Sequence, residues 1–161
     1  MNKKIVRILL VFSITIILSS CGLKNNLVQH SDKLTVAHIH DTIVYGKTTK
    51  KQLLKIYGNP DEQTTNQDTI SKLYNEDNDI EGGTMEKLDD NTDYFETEKY
   101  TKISYSKGNE YDVCYTYTSN KLGLTHVRFY IKDNIVRTSM FGEITNKQIA
   151  KQDKYLRQII D

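Results

Sequence analysis

The chain has 161 residues, with 22 Lys and Arg against 21 Asp and Glu. That near balance gives no footprint of a nucleic-acid binder, and the length suits one domain with a real core. Two cysteines in the whole chain exclude a disulfide framework.

Residues 1–20 read as a lipoprotein signal peptide and are set aside from fold reasoning. Lys3, Lys4 and Arg7 form a basic start, and residues 5–18 are an apolar run too short for a comfortable membrane span. The run ends in Leu18-Ser19-Ser20-Cys21, which resembles the bacterial lipobox. A thiol readily becomes a diacylglyceryl thioether, and small residues before it fit a signal peptidase, so Cys21 is the expected lipidation site. Each buried methylene contributes about 0.8 kcal/mol, so two or three acyl chains on Cys21 anchor stably in a membrane. Gly22 follows the cysteine, where an aspartate is linked to inner-membrane retention. The resemblance implies an outer-membrane anchor facing the periplasm of a Gram-negative cell, with a Gram-positive lipoprotein as the alternative. Processing removes three basic residues and leaves 19 basic against 21 acidic side chains. Cys114 is then the one remaining thiol, expected as a small buried hydrophobe. Residues 21–33 are the lipidated cysteine and a flexible polar tether. Residues 34–161 are expected as one α+β domain.

Residues 34–45 are expected to contain a first short helix, ended by Gly46. Thr49 and Gln52 have the spacing of a capping box. Leu53, Ile56 and Tyr57 follow at helical spacing, with Leu54 broadening the stripe. Gly58 stands where a left-handed residue ends a helix, and Pro60 cannot continue one. His38 and His40 beside Asp41 invite a metal reading, but positions two apart on a helix diverge. No metal site is assigned there.

Residues 61–98 hold 13 of the 21 acidic side chains, with Lys72 and Lys87 the only basic ones. Gly82-Gly83 and four asparagines favour turns. This stretch is expected as an acidic insertion, mobile at its centre, with one helical turn at Ile70, Leu73 and Tyr74. Asp77-x-Asp79-x-Glu81-Gly82 copies the opening of an EF-hand calcium loop, but Met85 and Leu88 stand at its ninth and twelfth positions. A calcium-binding lipoprotein is one alternative function.

From residue 99 the period changes to two. Residues 100–106 and 111–118 read as a hairpin around a turn at 107–109. Val127, Phe129 and Ile131 share one strand face, with His126, Arg128 and Tyr130 on the other. Asp133-Asn134 makes a tight turn and residues 135–141 return. Thr145 and Gln148 suggest a second capping box, opening a terminal helix with Ile149, Leu156, Ile159 and Ile160. The predicted fold is α+β: two short N-terminal helices on a three- or four-stranded antiparallel meander, with an extra C-terminal helix. Among 11 tyrosines, Tyr100, Tyr115, Tyr117 and Tyr130 are candidate partner-binding residues. Core packing with wet hydroxyls is the other reading of the same pattern.

Two motifs resemble a known family. Gly46, Lys47, Thr48, Thr49, Leu53, Leu54, Tyr57, Gly58 and Pro60 look like the signature of BamE/SmpA/OmlA-type lipoproteins. Leu124, Thr125, Val127, Phe129, Lys132, Asp133, Asn134 and Val136 look like the closing hairpin of BamE-like domains. The resemblance implies a two-layer domain that binds a protein partner in the envelope, such as the outer-membrane barrel assembly machinery. The acidic insertion and the terminal helix depart from that pattern.

The chain has no G-x-S-x-G elbow, H-E-x-x-H, phosphate loop or dinucleotide fingerprint. No catalytic residue and no cofactor is assigned, and the chain is read as non-enzymatic. A lipoprotein inhibitor, immunity or exclusion factor that blocks another protein is the main alternative.

Overall fold

The computed structural model describes residues 32–101 and 110–160, so Cys21 and the tether before Asp32 lie outside the described residues. Helix α1 spans Val36–Thr42, with the Thr35 side chain accepting the His38 amide at 3.2 Å. Val36, Ile39 and Ile43 face the core at helical spacing. Helix α2 spans Lys50–Tyr57. Its capping box forms as the spacing predicts: Gln52 Oε1 accepts the Thr49 amide at 2.8 Å, and Thr49 Oγ1 accepts the Gln52 amide at 3.2 Å. Leu53 and Tyr57 are buried.

Gly58 closes α2, but not in the expected left-handed helical conformation. Its φ of 82° is paired with a ψ of −165°, a positive-φ extended geometry that side chains resist even more strongly.

Strands β1 (Glu62–Thr64), β2 (Val113–Tyr117), β3 (Val127–Lys132) and β4 (Ile135–Phe141) form one antiparallel sheet in the order β1-β2-β3-β4. Asp133 and Asn134, both at positive φ, turn β3 into β4, as a tight hairpin of this twist requires. The loop between α1 and α2 seals the outer edge of β4. Gly46 donates its amide to the Val136 carbonyl at 2.8 Å, and the Val136 amide donates to Thr48 at 2.9 Å. An edge that would otherwise expose unpaired backbone groups is thus occupied.

The main core lies on the face of Val113, Tyr115, Tyr117, Val127, Phe129 and Ile131, under α1, α2 and the C-terminal segment. Asp153 ties that segment down. Its Oδ2 accepts the Ala37 amide in the first turn of α1 at 2.8 Å, where the helix dipole favours an anion.

Four expectations are corrected. The acidic stretch is not a loop with one helical turn. It contributes β1, then helices α3 (Gln67–Asn78), α4 (Thr84–Asn91) and α5 (Tyr94–Thr97). Of the expected hairpin between residues 100–106 and 111–118, residues 102–109 lie outside the described residues. The neighbour of β2 on that side is instead β1, with Gln63 opposite Tyr115, while Tyr100 makes a parallel bridge to Tyr45. The C-terminal helix is a short α6 (Lys147–Ala150) capped by Asn146 rather than Thr145, followed by a separate 3-10 turn at Leu156–Gln158. Finally, the sheet is covered on both faces. Helix α3 closes the second face with Ile70, Leu73 and Tyr74 against Tyr111, Cys114, Tyr130 and Met140.

Candidate functional site

The four candidate tyrosines do not form one surface. Tyr115, Tyr117 and Tyr130 are 4%, 0% and 0% exposed, and Tyr100 is 61% exposed. Tyr115 and Tyr117 point into the main core, because alternation along β2 puts them beside Val113. Tyr130 points to the opposite face, beneath α3. Of the four, only Tyr100 is available as a contact residue in this conformation. It is held in place by its neighbours: the Tyr45 amide donates to Lys99 and the Thr101 amide to Tyr45, each at 2.9 Å.

The most concentrated polar chemistry sits under α3. The Asp77 side chain, the fourth inward position of a stripe at 70, 73, 74 and 77, is almost fully buried. Arg128 Nη1 and His126 Nε2 both meet its Oδ1, the histidine at 3.0 Å, and the Tyr130 hydroxyl donates to Oδ2 at 3.4 Å. A carboxylate only accepts, so His126 carries its proton on Nε2 and offers Nδ1 to Thr125 Oγ1, 3.1 Å away. His126, Arg128 and Tyr130 alternate along one chain segment, which brings all three to one carboxylate.

This arrangement resembles an acid–histidine pair, with the Thr125 hydroxyl on the other ring nitrogen. The nearby Cys114 thiol is pushed up to about 12 by burial, with Arg128 opposing. At neutral pH it stays a neutral thiol. The cluster joins a helix to a sheet. It also occupies the first carboxylate of the calcium-loop pattern. Asp79 serves as the C-cap of α3, and the Gly82 amide donates to Glu86.

The histidines of α1 diverge, as their spacing predicts. His40 is buried, with Nε2 3.0 Å from Thr97 Oγ1 and the Tyr155 hydroxyl 3.1 Å from either ring nitrogen. His38 lies 2.9 Å from the Tyr57 hydroxyl. Among the described residues, no group of three or more His, Cys, Asp and Glu is arranged to hold a metal ion.

Glu98 follows α5 and is the described carboxylate most disturbed by its surroundings. Burial raises its pKa to about 7, and its charge presses on the buried Tyr45 and Tyr94 hydroxyls. In the unfolded chain it titrates near 4.5. Its contribution is thus most favourable below about pH 4.5, declines between 4.5 and 7, and is least favourable above 7. The full shift corresponds to about 3 kcal/mol, and partial solvent access reduces it to about 1–2 kcal/mol. Glu98→Gln is expected to raise stability by that amount at pH 8 and to change little at pH 4. Urea melts of both proteins at the two pH values check this; equal midpoints at pH 8 contradict it.

An open polar groove at one end of the sheet is lined by Asp32, Asp61, Thr118, Asn120, Thr125 and Asn146. Asp61 Oδ2 is already engaged there by the Thr118 amide and hydroxyl. Acidic side chains on α3, α4 and α5, including Asp68, Glu76, Asp89, Asp90 and Glu96, are exposed. The chain matches no protein-family model, no curated protein and no solved structure.

Proposed function

We propose that the chain is a lipid-anchored, non-enzymatic envelope protein whose domain binds a protein partner at the periplasmic face of the outer membrane. The domain serves outer-membrane protein assembly or envelope integrity, in the manner of BamE-like lipoproteins. The observation that carries this reading is the basic start, short apolar run and Leu18-Ser19-Ser20-Cys21 sequence directly ahead of a folded domain. The motif from Gly46 to Pro60 supports the family resemblance, and it has an architectural role: its turn and capped helix lie against β4 and the core. Anchoring confines the domain to the membrane and raises its effective concentration for partners there.

The exposed acidic faces of α3, α4 and α5 favour a second reading, an inhibitor, immunity or exclusion factor complementary to a basic protein. Affinity capture of the tagged lipoprotein from detergent-solubilised membranes separates the two. The leading reading expects barrel-assembly components in the eluate. Their absence, with a basic toxin or transfer protein recovered instead, favours the second.

A further inference from the structure

We infer that α3 is a displaceable strap, a helix that unlatches from the sheet as one unit ahead of global unfolding and uncovers the face beneath it. This stands apart from what the chain binds.

The sequence of α3, QDTISKLYNEDN, is a poor helix by itself. Threonine, serine, asparagine and aspartate compete with the backbone for hydrogen bonds or lose side-chain freedom in a helix. Its last turn carries no basic residue, while Glu76 and Asp77 stand where the helix dipole disfavours negative charge. Twelve residues of this composition are not helical in isolation. The segment is helical because it is docked.

The docking is narrow. Of its apolar side chains only Ile70 is fully buried; Leu73 and Tyr74 are partly so, with the Tyr74 ring 5.3 Å from Tyr130 and 5.8 Å from Tyr111. Beside them stands Asp77, one carboxylate shared by Arg128, His126 and the Tyr130 hydroxyl. Breaking a buried pair leaves an uncompensated charge, so the latch is strong only while all its members are seated. The segments flanking α3 have anchors of their own: β1 is paired to β2, and α4 enters the main core through Leu88, while its Met85 packs against both clusters. Between α3 and α4 the chain turns through Gly82, at φ 67°, whose amide is held by the Glu86 side chain of α4, a single hydrogen bond at the turn. Opening would bare Tyr111, Cys114, Tyr130 and Met140 and leave the main core in place.

Cys114 is a built-in reporter, because it is 1% exposed and lies under α3. In the full chain carrying Cys21→Ser, it is the only thiol. Its alkylation is followed against urea at reagent concentrations where the rate is linear in reagent. A strap predicts a labelling rate in low urea whose urea dependence is well under half that of global unfolding. Asp77→Asn should accelerate this labelling about 100-fold. Leu53→Ala, which weakens the main core present in both closed and open forms, should lower the global midpoint and leave low-urea labelling unchanged. Labelling with the full urea dependence of global unfolding, or acceleration in Leu53→Ala matching its loss of stability, would overturn the inference. Those two results decide it even if Asp77→Asn does not fold.

Discussion

Tyr117→Ala is expected to lower the stability of the domain by about 3–5 kcal/mol. Tyr117 is fully buried, with its ring 5.7 Å from Phe129 and 6.3 Å from Tyr57, both edge-on. Its hydroxyl donates to the Gly58 carbonyl at 3.1 Å. Truncation removes the ring from a packed aromatic group and takes a donor from that carbonyl at the end of α2. Tyr117→Phe keeps the ring and loses the hydrogen bond to Gly58, so it should cost about 1 kcal/mol. Tyr100→Ala, on the surface, should change stability by less than about 0.5 kcal/mol. Urea melts of the three variants order these effects. The sequence pattern alone allowed Tyr115 and Tyr117 as contact residues or as core; their burial places both rings in the core. A Tyr117→Ala protein that melts like wild type would return the tyrosines of β2 to the surface.

Gly58→Val is expected to cost about 2–3 kcal/mol. A φ of 82° with ψ near −165° is a region that residues other than glycine scarcely enter, and a β-branched side chain is the least tolerant of it. The position cannot relax easily. Its amide donates to the Leu54 carbonyl at 2.9 Å, closing α2, while its own carbonyl is held by Tyr117. Strain there therefore spreads to both the helix end and the sheet. A circular-dichroism melt reads the loss directly, and an unchanged midpoint would contradict this account of how α2 ends.

These two residues also mark how far the sequence is legible. Local chemistry reads well. The Thr49–Gln52 box needs only three residues of spacing, and the Asp133-Asn134 turn only two residues tolerant of positive φ. Period-two alternation correctly divides β3 into Val127, Phe129 and Ile131 against Arg128 and Tyr130. What alternation does not reveal is that both faces are covered. The cover on the second face comes from a stretch whose composition signals solvent. Its stripe of Ile70, Leu73, Tyr74 and Asp77 ends in a carboxylate, which looks polar until Arg128, 51 residues later, is placed opposite it. The signal was present as complementary patterns on distant segments, an acidic position on a helical stripe and a His-x-Arg-x-Tyr strand face. Strand β1 is harder still. Glu62, Gln63 and Thr64 carry no apolar alternation, and they join the sheet through backbone pairing with β2. At the C-terminus, two adjacent residues can both cap a helix, and Asn146 takes the role that Thr145 was expected to fill.

For function, the legible part lies ahead of the described domain, in the run that ends at Cys21. Metabolic labelling with radioactive palmitate tests it most directly, comparing the full chain with Cys21→Ala in cells and following label and membrane fractionation together. The account predicts a labelled, membrane-bound wild-type protein and an unlabelled Cys21→Ala protein. Label that persists in Cys21→Ala, or a wild-type protein that takes up none, would contradict it.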